Sequence, residues 1–306
     1  MSEAALRSTR KPSILKIGIA TAGRRDTLTQ SLVQLGHQRR LPDEVIICPA
    51  SPDDCDERAL AGLPYPTRVV RGTRGSSGQR NTILDHCNPC DLMLFLDDDF
   101  YASHDYLERL ERIFSQEPAI VGLTGKVLVD GAISAGVEHD EARAILAAYP
   151  RAPADDHRLE DIYNLYGCNM AVRMVPVRSH RLRFDENLPL YGWLEDVDFT
   201  RRLAPYGRIA RSLALTGVHL AIKRGRSSGV RTGYSQVANP WYLMRKGTMA
   251  PKRALRQVYR NVGANVLRAW SPEPWVDRRG RLRGNAIATV DFLRGRLDPR
   301  NVVALG

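Results

Sequence analysis

Residues 92–100 read LMLFLDDDF: five apolar residues, then three carboxylates and a phenylalanine. The apolar run shows no polar alternation, which is typical of a strand covered on both faces. Asp97, Asp98 and Asp99 repel one another, so the cluster predicts a cation or a positive ligand nearby. Because the carboxyl ends of central strands in an open α/β sheet face the ligand crevice, these side chains are expected where a ligand binds. Closely spaced oxygen ligands suit Mg²⁺ or Mn²⁺ held jointly with a diphosphate.

Strand-like and helix-like segments alternate on both sides of this stretch, from about Ile14 onward. The predicted strands are 14–21, 44–48, 67–70, 92–96 and 208–220, the predicted helices are 27–38 and 106–114, and a glycine-rich segment lies at 71–78. The alternation predicts an α/β fold with helices on the faces of the sheet. The alternative to a cation site is a solvated turn in which an aspartate caps the helix at 106–114.

A second acidic group lies about a hundred residues further on, in FDENLPLYGWLEDVDFTRRLAPYG (184–207). Glu195, Asp196 and Asp198 precede an Arg-Arg-Leu run, which predicts a helix with an acidic first turn. Carboxylates there also compensate the helix dipole, so the pattern has a purely structural alternative. The last predicted strand ends near His219, and a lone histidine is more often a hydrogen-bonded structural residue than a ligand.

Together, LMLFLDDDF, the later FDE...YGWLEDVDFTRRL...G and the downstream histidine resemble the family-2 glycosyltransferases of the GT-A fold. A D-x-D alone is weak evidence, whereas D-x-D followed by E-D-x-D at this spacing is considerably more specific. The resemblance covers about residues 14–220 and implies a Rossmann-like mixed sheet flanked by helices. It also implies inverting hexosyl transfer from a nucleoside-diphosphate sugar to a hydroxyl of a carbohydrate or lipid-linked oligosaccharide in bacterial surface polysaccharide synthesis.

The resemblance assigns the metal and the base residue by residue. Asp97 and Asp99 match the D-x-D that holds a divalent cation, Mn²⁺ or Mg²⁺, and His219 matches a position that often completes the coordination. Asp196 matches the general base, with Glu195 as the second choice. A sugar hydroxyl is too weak an acid to ionise at neutral pH, so a carboxylate helps by accepting its proton as the new bond forms.

The resemblance also assigns a donor site. TAGR (21–24) lies where the family has T-Y-N-R, and GSSGQRN (75–81) resembles a loop on the nucleotide side. Asp97 or Asp98 is expected to reach the donor ribose. The residues assigned to the donor are Thr21, Arg24, Asp53, Arg80, Asn81, Asp97 and Asp98.

Two departures from the family pattern concern recognition of the nucleotide base. Ala22 stands where the family has an aromatic residue, and Cys48 and Pro49 stand where an acidic residue usually follows the second strand. Asp53 or Asp54 is expected to substitute for the missing acid.

Charge divides the chain into unequal parts. The 306 residues carry a net charge of +11, but residues 1–220 sum to −3 and residues 221–306 to +14. We therefore divide the sequence into a flexible N-terminus (1–13), a GT-A catalytic domain (14–220) and a basic helical C-terminal region (221–306).

The C-terminal region is expected to meet a membrane. GYSQVANPWYLMRKG (233–247) and WVDRRGRLRGNAIATVDFLRGRLDP (275–299) combine aromatic residues with Arg and Lys, as interfacial elements do. We expect docking on the anionic inner leaflet beside a lipid-linked acceptor. The alternative is a helical cap that only packs on the catalytic domain.

Two other function classes share these features. A nucleic-acid-binding protein would use the basic tail, but the tail has no zinc finger, RNP motif or heptad-linked basic region, so no nucleic acid is expected as a partner. A sugar-phosphate nucleotidyltransferase also places acidic metal ligands at strand ends. Such enzymes usually follow the first strand with a glycine-rich basic loop, whereas TAGRRDTL (21–28) has one glycine.

Targeting and cysteine patterns point to the cytoplasm. No apolar run approaches the ~18 residues of a membrane span, and the first residues lack the pattern of a signal peptide. We expect a cytoplasmic protein, peripheral on the inner membrane face. CNPC (87–90) has metal-binding spacing but no second pair to complete a zinc site, so the five cysteines are expected to be reduced thiols.

Overall fold

The computed structural model describes residues 13–153, 156, 158–222 and 228–305. The flexible N-terminus predicted over 1–13 lies, apart from its last residue, outside these ranges. Both acidic stretches, 97–99 and 195–198, lie inside them.

Strands in the described residues form one mixed sheet. They are β1 (Leu15–Thr21), β2 (Glu44–Pro49), β3 (Thr67–Val69), β4 (Leu92–Asp97), β5 (Phe100–Ala102), β6 (Ile120–Asp130), β7 (Leu159–Asp161), β8 (Asn169–Arg173) and β9 (Arg208–His219). Their order is β3-β2-β1-β4-β8-β6-β9-β5, with β7 paired to β9. In the part of the sheet ordered β3-β2-β1-β4, neighbouring strands are parallel. Strand β8 is antiparallel to its neighbours β4 and β6, and β9 is parallel to β6. The predicted α/β fold with a mixed sheet is confirmed.

Helices cover the sheet and continue beyond it. They are α1 (Arg25–Leu35), α2 (Glu57–Leu60), α3 (Ser76–His86), α4 (Tyr106–Gln116), α5 (His139–Ala148), α6 (Met174–Ser179), α7 (Glu195–Leu203), α8 (Gly229–Lys246), α9 (Pro251–Arg268) and α10 (Arg278–Leu293). The predicted helices at 27–38 and 106–114 correspond to α1 and α4. Helix α1 begins two residues and ends three residues earlier than predicted, whereas α4 begins as predicted and ends two residues later.

Strand β4 is buried on both faces, as its unbroken apolar sequence predicts. Leu92, Leu94 and Leu96 pack into a core with α1 and α4, while Met93 and Phe95 pack into a second core with α3 and α7. All five side chains are at most 4% exposed. Alternate residues of a strand point to opposite faces, so one apolar run supplies both cores.

The family resemblance implied a loop at 75–81, but helix α3 begins inside this segment. Gly75 turns the chain at φ +117, and Gly78 lets the first helical turn approach the Thr73 carbonyl too closely for a Cβ. Gln79 then donates to the carbonyls of Thr21 and Cys48. The helix is thereby fixed against the ends of β1 and β2.

The C-terminal helices pack against the helix that begins with the second acidic group. Leu243, Met249 and Ala254 form an apolar cluster with Leu188 and Val197. Within the described ranges, no helix is long and apolar enough to cross a membrane.

Asp198 links α7 to the end of α8. It is fully buried, and it pairs with Lys246 at 2.8 Å and accepts a hydrogen bond from the Thr248 hydroxyl at 2.8 Å. Arg202 lies 3.7 Å away on the same helix. A charge so far from solvent is stable only with such partners, so the contact ties the C-terminal helices to the rest of the fold.

Candidate active site

Polar side chains meet at one edge of the sheet, where β1, β4, β6 and β9 end. The last residues of these strands are Thr21, Asp97, Asp130 and His219. The pairing makes all four strands run in the same direction, and His219 stands opposite Asp130 in the register of β6 and β9. Carboxyl ends of parallel strands are where ligands bind in such sheets, and the topology brings residues from 21 to 219 together there.

Arg24 holds the two buried carboxylates of the first acidic cluster. Its guanidinium lies 2.8 Å from Asp98 Oδ1 and 2.6 Å from Asp99 Oδ2. The Thr21 hydroxyl donates to Asp98 Oδ2 at 2.5 Å. Burial raises the pKa of Asp98, although Arg24 opposes that shift. Asp98 is thus ion-paired with Arg24 through one oxygen and hydrogen-bonded to Thr21 through the other, and a direct contact of Asp98 with a donor stays a prediction.

A group of three side chains could hold a metal ion: Asp97, Asp99 and His219. It is the group of acidic, histidine or cysteine side chains with suitable spacing among the described residues. One ligand atom from each lies within 4.8 Å of the others. His219 Nε2 is 3.5 Å from Asp99 Oδ1 and 3.8 Å from Asp97 Oδ2. Asp99 Oδ1 is buried and has no hydrogen-bond partner in the described part of the chain. A buried carboxylate oxygen without a hydrogen-bond partner, beside a second carboxylate and an imidazole, fits a divalent cation such as Mn²⁺.

Asp130 and Tyr166 orient the histidine of this group. His219 Nδ1 lies 2.9 Å from Asp130 Oδ1, and the Tyr166 hydroxyl donates to Asp130 Oδ2 at 2.8 Å. Burial alone would lower the pKa of His219, but Asp130 and Asp99 outweigh it and raise the pKa to about 10. The same contact with His219 lowers the pKa of Asp130 to about 2 despite burial. A carboxylate behind a ligating histidine fixes its orientation and raises its basicity.

Arg80 joins the two acidic groups. Its guanidinium bonds the Glu195 carboxylate, lies 3.1 Å from Asp97 Oδ1 and donates to the Gly167 carbonyl at 2.9 Å. The side chain is 5% exposed. Burial raises the pKa of Glu195 to about 8, against the opposing effect of Arg80. Arg80 therefore connects the end of β4 with the start of α7, residues that are distant in sequence.

Asp196 lies beside this junction and is half-buried. It accepts hydrogen bonds from the backbone N–H of Val197 at 2.7 Å and of Gly167 at 3.1 Å. Burial raises the pKa of Asp196 above its ordinary value. Gly167 thus binds Asp196 through its N–H and Arg80 through its carbonyl, and Arg80 contacts Asp97 in turn. A chain of direct contacts links the expected base to the cation group.

Asn81 and Asp54 serve the scaffold of the site. The Asn81 amide donates to the Phe184 carbonyl and to Glu186, and accepts from the Phe184 N–H. Asp54 accepts from the N–H groups of Gly23 and Ser51. Neither arrangement leaves the side chain facing an open site, so the assignment of Asn81 to the donor stays a prediction.

Asp53 is exposed just after β2. It lines an open cleft with charged neighbours, among them Arg25, Asp56, Arg58 and Arg71. The cleft lies beyond the end of β2, beside the parallel strands that end at the site. The donor role of Asp53 stays a prediction.

The mixed sheet flanked by helices is that of a GT-A glycosyltransferase. The sequence model of Glycosyl transferase family 2 matches residues 16–180, more than half of the chain, and the chain belongs to that family. The expectation based on the D-x-D and E-D patterns is confirmed at the level of the family. Asp196 and His219 lie beyond the matched residues.

Solved structures resemble this fold at low sequence identity. The mannosyltransferase PcManGT from Pyrobaculum calidifontis, in complex with GDP-Man and Mn²⁺, is 14% identical with a TM-score of 0.56, over 96% of this chain and 86% of that one. S. aureus TarS is 16% identical with a TM-score of 0.47, and residues 1–349 of TarS with UDP-GlcNAc are 15% identical with a TM-score of 0.49. The matches cover 74% of this chain but 40% and 64% of those chains. At such identities the likeness concerns the fold alone. No curated protein sequence matches the chain.

Proposed function

We propose that this glycosyltransferase is an inverting, metal-dependent enzyme that moves a hexosyl group from a nucleoside-diphosphate sugar to an acceptor hydroxyl. One observation carries the proposal: Arg80 and Gly167 connect the cation group of Asp97, Asp99 and His219 to Asp196 through direct contacts. The structurally similar mannosyltransferase was solved with GDP-Man and Mn²⁺, which supports a nucleotide sugar and a divalent cation here as well.

The donor side of the proposal rests on the cation group. Asp97, Asp99 and His219 would hold Mn²⁺ or Mg²⁺, and a bound cation there supplies neutralisation of the charge that gathers on the leaving diphosphate. The Arg24 guanidinium pairs with both Asp98 and Asp99, and this shared ion pair fixes the position of the Asp99 carboxylate. Asp99 Oδ1, which has no hydrogen-bond partner among the described residues, is the oxygen that would bind the cation.

The acceptor side rests on Asp196. As the acceptor oxygen bonds to the anomeric carbon, the bond from that carbon to the diphosphate breaks, and the acceptor proton passes to Asp196. Two backbone N–H groups hold the carboxylate in place. An ion pair in their place would neutralise its charge, whereas N–H groups do not. A single displacement of this kind inverts the anomeric configuration.

The acceptor of the proposal is a carbohydrate or a lipid-linked oligosaccharide. We place the reaction in the cytoplasm, with the enzyme peripheral on the inner membrane face. The basic C-terminal helices, which pack beside α7, support this location.

Release of a nucleoside diphosphate tests the proposed reaction. With Mn²⁺, a nucleotide sugar and a mixed set of acceptors, we expect a nucleoside diphosphate to be released and no pyrophosphate to form. Pyrophosphate formed from a sugar phosphate and a nucleoside triphosphate would instead identify a nucleotidyltransferase. A thermal-shift screen of nucleoside diphosphates with and without Mn²⁺ selects the nucleotide beforehand, because a ligand that binds the folded state raises the Tm.

Mn²⁺ binding is expected to strengthen with pH. The pKa of His219 is raised to about 10, so the metal-free imidazole carries a proton at neutral pH that the cation must displace. Affinity should therefore rise by about tenfold per pH unit below that pKa, with release of about one proton per cation. Calorimetry in buffers of different ionisation enthalpy measures both quantities. In His219→Gln the slope and the proton release should disappear; a slope that persists in this variant would contradict the assignment of the proton to His219.

A further inference from the structure

One face of α9 exposes a row of apolar side chains. Leu255, Tyr259, Val266 and Trp270 are 47%, 74%, 42% and 83% exposed. Their spacing is that of a helix surface, so Leu255, Tyr259 and Val266 lie in one stripe that Trp270, just beyond the helix, extends. A stripe of large apolar groups in water marks a surface that meets another phase or partner. We call these four residues the apolar stripe.

Basic side chains flank the apolar stripe along the same helix. Lys252, Arg256 and Arg260 recur every four residues and are exposed. The side chains of these three residues make no ion pair or hydrogen bond with any residue that the structure describes. Residues 228–305 contain 15 Lys and Arg against 4 Asp and Glu, so acidic neighbours are scarce. The charge beside the stripe is therefore free to attract an anionic partner.

The opposite face of α9 is fixed to the neighbouring helices. Asn265 is fully buried and donates to Gln236 of α8 and to Asn285 of α10, each at 2.8 Å. Arg278 donates to the carbonyl oxygen of the Asn265 side chain at 3.0 Å. Buried amides whose hydrogen bonds are satisfied hold the three helices in one arrangement. The helix cannot bury its apolar stripe by turning over without breaking these bonds.

The start of α9 lies close to the acceptor side of the site. The Arg253 guanidinium stacks over the Tyr163 ring at 4.0 Å, and the Ala250 N–H donates to the Tyr163 hydroxyl at 3.0 Å. Tyr163 opens the segment that ends at Gly167, whose N–H binds Asp196. The start of α9 is therefore fixed to the segment that holds the residue expected to take the acceptor's proton.

We propose that this face of α9 docks on an anionic lipid bilayer, with the apolar stripe in the headgroup region and the flanking Lys252, Arg256 and Arg260 against acidic headgroups. A helix with large apolar groups beside a basic edge binds this way, by burying apolar area and by attraction to anionic lipid. The proposal deepens the proposed function, because it supplies the surface from which a lipid-linked acceptor would reach Asp196.

Flotation with vesicles tests the docking surface, and it needs neither donor nor acceptor. The full chain should float with phosphatidylcholine vesicles that contain phosphatidylglycerol and not with phosphatidylcholine alone. The triple variant Lys252→Ser, Arg256→Ser, Arg260→Ser should bind the anionic vesicles on the order of 100-fold more weakly. The double variant Tyr259→Ser, Trp270→Ser should also lose binding, while keeping the Tm of the wild type, because both side chains are exposed.

A matched variant removes the same charge elsewhere. Arg39, Arg151 and Arg181 are exposed and lie outside α8, α9 and α10, so their triple replacement by serine should leave flotation within about twofold of the wild type. Equal loss in both triple variants would mean non-specific charge attraction and would overturn the proposal. Wild-type binding to duplex DNA without binding to anionic vesicles would also overturn it, in favour of a nucleic-acid surface. Transfer of the hexosyl group to a soluble acceptor, with release of the nucleoside diphosphate, is measured separately. A failure of docking and a failure of the proposed reaction therefore give different results.

Discussion

Turnover of the Asp196→Asn enzyme is expected to fall by roughly 10²–10⁴-fold, while the Kd values for Mn²⁺ and the donor change little. Asparagine keeps the size of the side chain, and its one amide oxygen can still accept from one of the Gly167 and Val197 N–H groups, which bind different oxygens of Asp196. It cannot take a proton from a sugar hydroxyl. In the wild type the acidic limb of the pH–rate profile should lie above the ordinary range of an aspartate, because burial raises the pKa of Asp196. Activity is then lost as the pH falls through that raised pKa. In the variant this limb should disappear.

Glu195→Gln separates the first choice of base from the second. Glu195 is bound by Arg80, so a glutamine there is expected to disturb the junction between the acidic groups without removing the proton acceptor. Single-turnover rates with saturating donor measure the chemical step in each variant. A rate for Asp196→Asn within a few-fold of the wild type, together with a larger loss in Glu195→Gln, would move the base to Glu195.

Asp99→Asn is expected to weaken Mn²⁺ binding by more than about 100-fold. Loss of a residue that only holds a metal ligand in place costs roughly 10–100-fold, and loss of a ligand itself should cost more. Asp99 supplies the buried oxygen without a hydrogen-bond partner among the described residues, and its other oxygen is held by Arg24 and by the Ile222 N–H. An amide in its place removes a charge from both the cation and the guanidinium. Donor affinity measured with Mn²⁺ should fall in parallel, whereas donor affinity measured without metal should change less.

Asp105→Asn is the matched control for this experiment. Asp105 is also buried and also pairs with an arginine, Arg109, at 2.7 Å, but it lies at the start of α4 outside the cation group. The control should lose stability and keep its Mn²⁺ affinity. Equal Mn²⁺ affinity in Asp99→Asn and in the wild type, by calorimetry or by the EPR signal of free Mn²⁺, would remove Asp99 from the ligand set.

Local patterns in the sequence predicted the parts of the fold that local physics determines. The unbroken apolar run of β4 required two cores, and residues 92–96 do alternate between them. The acidic turn at 195–198 predicted the start of α7, and the apolar stretch before His219 predicted β9. In each case burial or the helix dipole acts on neighbouring residues, so spacing along the chain is sufficient to see it.

Contacts between distant residues could not be predicted in the same way. The family resemblance suggested a loop at 75–81, but Gly75 and Gly78 allow a close approach of the chain where α3 starts. Only the folded chain shows which groups are approached, Leu190 at Gly75 and Thr73 at Gly78. Asp130 ends β6 as Asp97 ends β4, and this shared position at a strand end was the available signal for it. Tyr166 carried no such signal, because its role depends on the register that sets Asp130 beside His219.

The pairing of Asp198 with Lys246 and Thr248 bears on how separable the two parts of the polypeptide are. A division after residue 220 follows the change in charge along the sequence, yet cutting there would strip a completely enclosed carboxylate of two partners and leave Arg202 at 3.7 Å. The helix that starts with the proposed base would lose its anchor in the same event. The tail is therefore not a detachable accessory, because the contacts that hold it in place also hold the helix that carries Asp196.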